Sequence, residues 1–391
     1  MTEKVDPKMP EFTLLGGPLY RMGCRLGLVR KETNTLWIGL ALGLLSWGAL
    51  VALGLVQGYG LRVFALPLIG VHVRLLLAIP LLFACETAVF PRMAEFVRNS
   101  VRSGLVPETG WPVLESVIRR VGRMKDSWLP ELLFFVVTYL LPMIEKHIGF
   151  PGRTGNWESL VAQTGGTLTW THVWYLGFCL PLFRFLLLRW LWHLGLWWYF
   201  LWRLEKMNLH LIPTHPDGAA GIGYLEEIQE CFTPLVVGVS AIFSASFAED
   251  IFLGKMAFST LYLFLPVILI VTAALFIGPL FLFSRKLWLC RKTGLRNYMG
   301  MAYRYVDAFD RKWIRGENPS GDPLLGTPDM QSLADLNNSV NVVREMRWVP
   351  ASQRLIMAFV MAVMIPMLPL VLLEHSVDYL AVQLFKMLTG L

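Results

Sequence analysis

Two groups of residues in this 391-residue chain could carry chemistry. The first lies inside an apolar block. Arg184, Arg189 and His193 stand between Thr171 and Phe200, with Trp190, Trp192, Trp197 and Trp198 around them. A cation in a run of this kind either faces an interior partner or a water-filled path, or it reaches for a headgroup at the membrane boundary. Glu86, in another apolar block, could pair with Arg189. The second group is polar: His210, His215 and Asp217, followed by Gly218, Gly221 and Gly223. Two imidazoles and a carboxylate within eight residues suit a divalent metal. The same stretch also reads as an anion-binding helix N-terminus, or as a tightly packed elbow in which Pro216 holds His215 extended and Asp217 caps the next helix.

The remaining catalytic signatures are missing. The chain has no HExxH, no GxSxG and no phosphate-binding P-loop. No residue pattern specifies a cofactor. Cys24, Cys85, Cys179, Cys231 and Cys290 share no CxxC spacing, which argues against a zinc cluster or a disulfide framework.

The elements that must position these residues are membrane helices. Hydrophobic residues make up 55% of the chain and charged ones 16%, and the mean hydropathy is +0.52. A soluble chain of this length needs more polar surface. The apolar residues also come in blocks near the roughly 20 residues that cross a bilayer. The expected spans are Leu36–Gln57, Val71–Phe90, Leu129–Ile144, Thr171–Phe200, Phe232–Phe247, Ala257–Phe283 and Leu355–Leu373. The fourth would be about 45 Å long against a hydrocarbon core of about 30 Å, so it must tilt or project.

Basic residues set the orientation. They crowd residues 1–35, the 91–128 connection and residues 284–354, and they are sparse in the intervening loops. The expected fold is therefore an all-α integral membrane protein with about seven transmembrane helices, N-terminus in and C-terminus out. A cytosolic segment (1–35) precedes a six-helix membrane domain (36–283), which carries a cytosolic helical loop (91–128) and a His/Gly-rich loop (201–231). A cytosolic hairpin (284–354) follows, then a last span with an interfacial tail (355–391).

In the hairpin, Leu295, Tyr298, Met301, Tyr305, Phe309 and Trp313 form one stripe, and the sixth span is expected to run on into this helix, weakened at Gly294 and Gly300. Leu333, Leu336, Val340, Val343 and Met346 form the second stripe. These faces must bury on the other cytosolic helix (Val113–Met124), on another subunit or on a cytosolic protein. The net charge of +7 is spread over loops and reads as orientation signal and attraction to lipid, not as a nucleic-acid footprint.

Two segments, Pro213–Leu225 and Gln331–Arg347, resemble a family of uncharacterised bacterial multi-pass inner-membrane proteins. The likeness covers most of the chain after the third span. Where that family carries a Gly-Gly pair and the run Ala-Asp-Leu-Gly-Asn, this chain has Ala220-Gly221 and Asn337. The resemblance implies a multi-pass topology and a bacterial inner membrane, and it brings no activity. The leading expectation is a channel or transporter-like protein, with an arginine-lined path along the fourth span that would favour anions. The alternatives are a membrane-embedded enzyme acting through His210, His215 and Asp217, and a scaffold or sensor. The bilayer is the implied partner, with a homo-oligomer or a cytosolic protein open.

Overall fold

The computed structural model describes residues 11–25, 35–148, 169–316 and 328–374, and among these it is helical without a strand. The helices are α1 (Pro18–Arg25), α2 (Thr35–Val56), α3 (Leu66–Arg102), α4 (Trp111–Lys125), α5 (Trp128–Ile148), α6 (Trp170–Glu205), α7 (Tyr224–Phe252), α8 (Phe258–Phe276), α9 (Ser284–Phe309), α10 (Asp329–Glu345) and α11 (Gln353–Glu374). Six of them, α2, α3, α6, α7, α8 and α11, are long and apolar enough to cross a membrane. The third expected span coincides with α5, a helix of 21 residues that is not one of those six. The interfacial tail after Glu374 lies outside the described residues.

Burial separates the middle of the bundle from its rim. The most apolar stretch of α7 is 67% buried and that of α3 is 56% buried, whereas α8 is buried over only 6%. α3 and α7 pack together, with α2 and α6 against α3, and α11 against α7. Apolar side chains gain little from one another where the solvent is itself apolar, so close helix approach depends on small residues. α2 shows this with its buried stripe Gly39, Gly43, Ser46, Leu50 and Gly54. A Cβ at Gly43 would lie 2.3 Å from the Leu75 carbonyl oxygen, which no other residue could accommodate.

Three elements run longer than their apolar blocks. α3 continues to Arg102, α6 spans 36 residues, and α7 begins at Tyr224. Each projects beyond a single membrane thickness. The sixth span does not run on into the hairpin. α8 ends at Phe276, and a 3₁₀ turn over Gly278–Phe283, with Pro279 near its start, separates it from α9. Gly294 is not a weak point either: its missing side chain lets Pro213 and Val343 close in, at 2.7 and 3.1 Å from where a Cβ would be.

α9 and α10 pack on each other as a hairpin. Val340, Val343 and Met346 are buried, and Leu333 and Leu336 are half-buried. This stripe therefore meets α9 rather than α4, which packs on α6. On α9, Met301 is 43% exposed, and Ala302 takes the inward position beside Tyr298 and Tyr305.

Candidate functional site

Four charged side chains are buried on the central helices, in two clusters. At the inner one, Glu86 of α3 and Arg189 of α6 approach to 3.4 Å, and their side chains are 5% and 11% exposed. His193 lies one turn beyond Arg189 and shares its face of the helix. The imidazole is buried, edge-on to Phe90 at 5.2 Å and to Trp190 at 6.0 Å. Its Nδ1 has no hydrogen-bond partner. Trp190 is fixed by donating its indole N–H to the Leu82 carbonyl at 3.1 Å. Arg184 sits five residues before Arg189, roughly 140° around the helix, and is half-buried.

The outer cluster uses residues that sequence reasoning passed over: Arg74, Glu249 and Tyr175. Arg74 is 5% exposed and donates to the Tyr175 hydroxyl at 2.7 Å. Glu249 of α7, 4% exposed, accepts the Gly70 backbone N–H at 2.7 Å. A Cβ at Gly70 would fall 2.7 Å from the Glu249 carboxylate and 3.6 Å from the Arg74 guanidinium, so the glycine is where the two charges converge. Arg74 and Tyr175 each lie in a π-helical turn, Val73–Ala78 and Tyr175–Cys179. Such turns re-aim side chains and recur at functional sites. Arg74 interrupts an apolar block as Arg189 does, whereas Glu249 stands just past the end of one, beside Asp250. Nearby, Trp47 donates to His72 Nδ1 at 2.8 Å, and His72 Nε2 bonds the Val63 carbonyl at 2.9 Å. Both ring nitrogens are engaged.

The inner cluster is closed on one side by a non-helical strap, residues 11–17. Its side chains alternate. Phe12 and Leu14 are buried, with the Phe12 ring 4.5 Å from that of Phe200. Thr13 and Leu15 face a small cavity of about 80 Å³ that also exposes Glu86, Thr87 and Thr35. Lys125 ties the strap down by donating to the carbonyls of Thr13 and Leu15 at 3.2 and 3.0 Å, and Asp126 accepts the Gly17 N–H at 3.3 Å. Burial holds the Lys125 ammonium below its ordinary value, against the opposing charge of Asp126.

The His/Gly-rich loop is a different kind of structure. Asp217 accepts N–H bonds from Ala219 at 2.8 Å, Gly221 at 3.0 Å and Gly223 at 2.7 Å, and His215 Nδ1 lies 2.8 Å away. Burial alone would raise this carboxyl. The three backbone N–H groups and His215 outweigh it and hold the group below its ordinary value of 3.8. The loop's anion cradle is thus filled by its own side chain. His210 is exposed and enters only through its backbone, to Leu105. Among the described residues no three His, Cys, Asp or Glu side chains gather as a metal site. In the structure Asp217 is engaged by the loop's own backbone and by His215, as a self-capped elbow.

What the elbow does is dock the hairpin. Arg347 donates to Glu226 at 2.7 Å and to the Asp217 carbonyl at 2.9 Å, while its own N–H bonds Gly218 O at 2.8 Å. Tyr298 meets Thr214 at 3.4 Å, and Lys286 contacts the Met207 carbonyl. The two resemblance motifs, distant in sequence, meet at Arg347. Ala220 adopts φ +56°, the only left-handed non-glycine among the described residues. It is held there, at a cost of about 1 kcal/mol, by the clasp around it. The chain matches no family model, and no curated protein or solved structure is significantly similar to it.

Proposed function

We propose that this chain is a membrane transport protein in which the two acid–arginine clusters on α3, α6 and α7 form the ion-responsive sites, with the strap over Glu86 as the inner closure. Six apolar helices of spanning length fit a protein embedded in a membrane. The observation that carries the finer reading is the burial of Arg74, Glu86, Arg189 and Glu249 among those helices. Intramembrane charge is costly, and a bundle that needed only to pack would gain by replacing each pair with apolar residues. Both clusters include α3 and α6, so relative motion of these helices would open both together.

Because Arg189 is compensated by Glu86, the inner cluster offers an anion little net field. A proton or small cation competing with the arginine for its acid fits this pairing better than anion conduction. The basic segments before α2, between α3 and α5, and over α9 and α10 support an N-in arrangement, with α5 as a seventh span and the C-terminus out. The motif resemblance supports a bacterial inner membrane.

A second reading, a scaffold for a cytosolic protein or a second copy of the chain, draws on the outward face of α9. There Trp288, Met299, Tyr303 and Val306 are all exposed.

The test is flux from liposomes containing the purified protein, driven by a pH gradient or by membrane potential. Wild type is expected to show saturable flux that Glu86→Gln and Glu249→Gln abolish. Arg184→Leu run alongside separates an arginine-lined anion path from an acid-dependent one. Flux with full rate and selectivity in both acid variants would remove the clusters from the path.

A further inference from the structure

A cavity of about 380 Å³ lies between α6, α7 and α8. Its walls include Trp190 and Leu194 of α6, Val236 and Val239 of α7, and Val271 of α8. Only Ser240 and Thr272 bring polar atoms, and the Ser240 hydroxyl is already donated to the Val363 carbonyl at 2.7 Å. Buried water needs two to four polar partners, so this space does not hold a water cluster. It carries no charge that would recognise a headgroup or a polar solute.

α8 is the least buried of the six helices of spanning length, and it packs on the bundle through Leu265 and Ile268 as well as through two aromatic positions. Phe264 meets Phe247 at 5.6 Å, and Phe276 meets Phe232 at 5.3 Å and Phe359 at 5.4 Å. Those two aromatic contacts are twelve residues apart, about 18 Å along the helix, which is close to the roughly 15 Å depth of one leaflet's hydrocarbon. The lateral rim is made by Leu191, Val267 and Val271, which are 47%, 51% and 51% exposed. The medium beyond that rim, around a helix buried over only 6% of its apolar stretch, is the hydrocarbon of the membrane.

We propose that this cleft binds an acyl chain of a bilayer phospholipid, entering sideways between α6 and α8. The occupant is fixed by the absence of polar anchors, the leaflet-scale length and the lateral opening. Trp190 makes the site more than a lipid-filled gap. Its indole forms part of the cleft wall, and the same ring stacks on Phe90 at 5.6 Å and stands edge-on to His193 at 6.0 Å. A chain in the cleft packs one ring away from His193, which follows Arg189 by one helical turn.

The test uses the full chain in vesicles of phosphatidylcholine and phosphatidylglycerol, doped with phosphatidylcholine bearing a photoactivatable diazirine on one acyl chain. Crosslinked residues are mapped by mass spectrometry. Leu263 and Ile270, on the outward face of α8, report ordinary lipid contact. Ala241 and Ala245 are buried on α7 but do not line the cleft, and they report background. Labelling of Val236, Val239 and Phe243 in excess of Ala241 and Ala245 is expected, and Val239→Trp should abolish it at Val236 and Phe243 while leaving Leu263 and Ile270 labelled. Thr272→Phe fills the cleft from the opposite wall and should do the same. Label confined to Leu263 and Ile270 in wild type would overturn the proposal. So would cleft labelling that survives both filling substitutions. Neither result depends on whether the protein transports anything.

Discussion

Replacing Arg189 and Glu86 by leucine, singly and together, probes the inner cluster directly. The pair stands at 3.4 Å with both side chains almost fully buried. Taking the charge centres as about 4 Å apart at an effective dielectric near 20, their attraction is about 4 kcal/mol. Desolvation opposes it, so removing the whole pair in favour of well-packed leucines should change stability little or raise it. Removing one partner should be far worse, about 3–5 kcal/mol, because the other charge stays buried.

The two single variants should also differ. A glutamic acid left alone can become neutral by binding a proton, whereas a guanidinium cannot give one up. Glu86→Leu is therefore expected to cost more than Arg189→Leu. Unfolding in mixed detergent micelles, followed by tryptophan fluorescence, gives the four stabilities of the cycle. With each single variant costing about 3–5 kcal/mol and the double variant about nothing, a coupling of about 6–10 kcal/mol is expected. Membrane reference states that re-pair polar groups push the value toward the lower end. A coupling below about 0.5 kcal/mol, or equal cost for the two singles, would refute the view that these residues hold each other's charge.

Two further outcomes follow from the cytosolic side. Asp217→Asn keeps one acceptor oxygen but turns an N–H₂ toward backbone donors, and should loosen the elbow by about 2–3 kcal/mol, seen as faster proteolysis between His210 and Gly223. Since the Asp217 carboxyl is held below its ordinary value of 3.8, its contribution is complete above that pH and is lost as pH falls through the lowered value. Wild type should therefore approach the variant's proteolysis rate only in acid, and a gap that persists there would contradict the assignment. Phe12→Ala combined with Leu14→Ala should release the strap and expose Thr35→Cys, at a buried position of the same cavity, to a membrane-impermeant thiol reagent, in a background lacking Cys24 and Cys290. An unchanged modification rate would show that residues 11–17 do not cover the Glu86 cavity.

Sequence alone determined the helical membrane character of this chain, because apolar blocks of spanning length have few other stable solutions. It also singled out Arg189, His193 and Glu86, since charge within an apolar run stands out against its surroundings. Arg74 stands out by that same contrast, whereas Glu249 reads as the polar end of a span. The tertiary structure decided what no spacing along the chain encodes. It determined that Arg74 and Glu249 converge at Gly70 although 179 residues separate the glycine from the acid. It also set the strap over Glu86, and it closed the loop backbone and His215 around the Asp217 carboxylate. The physical reason is the same in each case. Sequence pattern reports which groups must leave water or meet a partner, whereas the identity of the partner depends on which distant backbone the packing of small residues allows to come close.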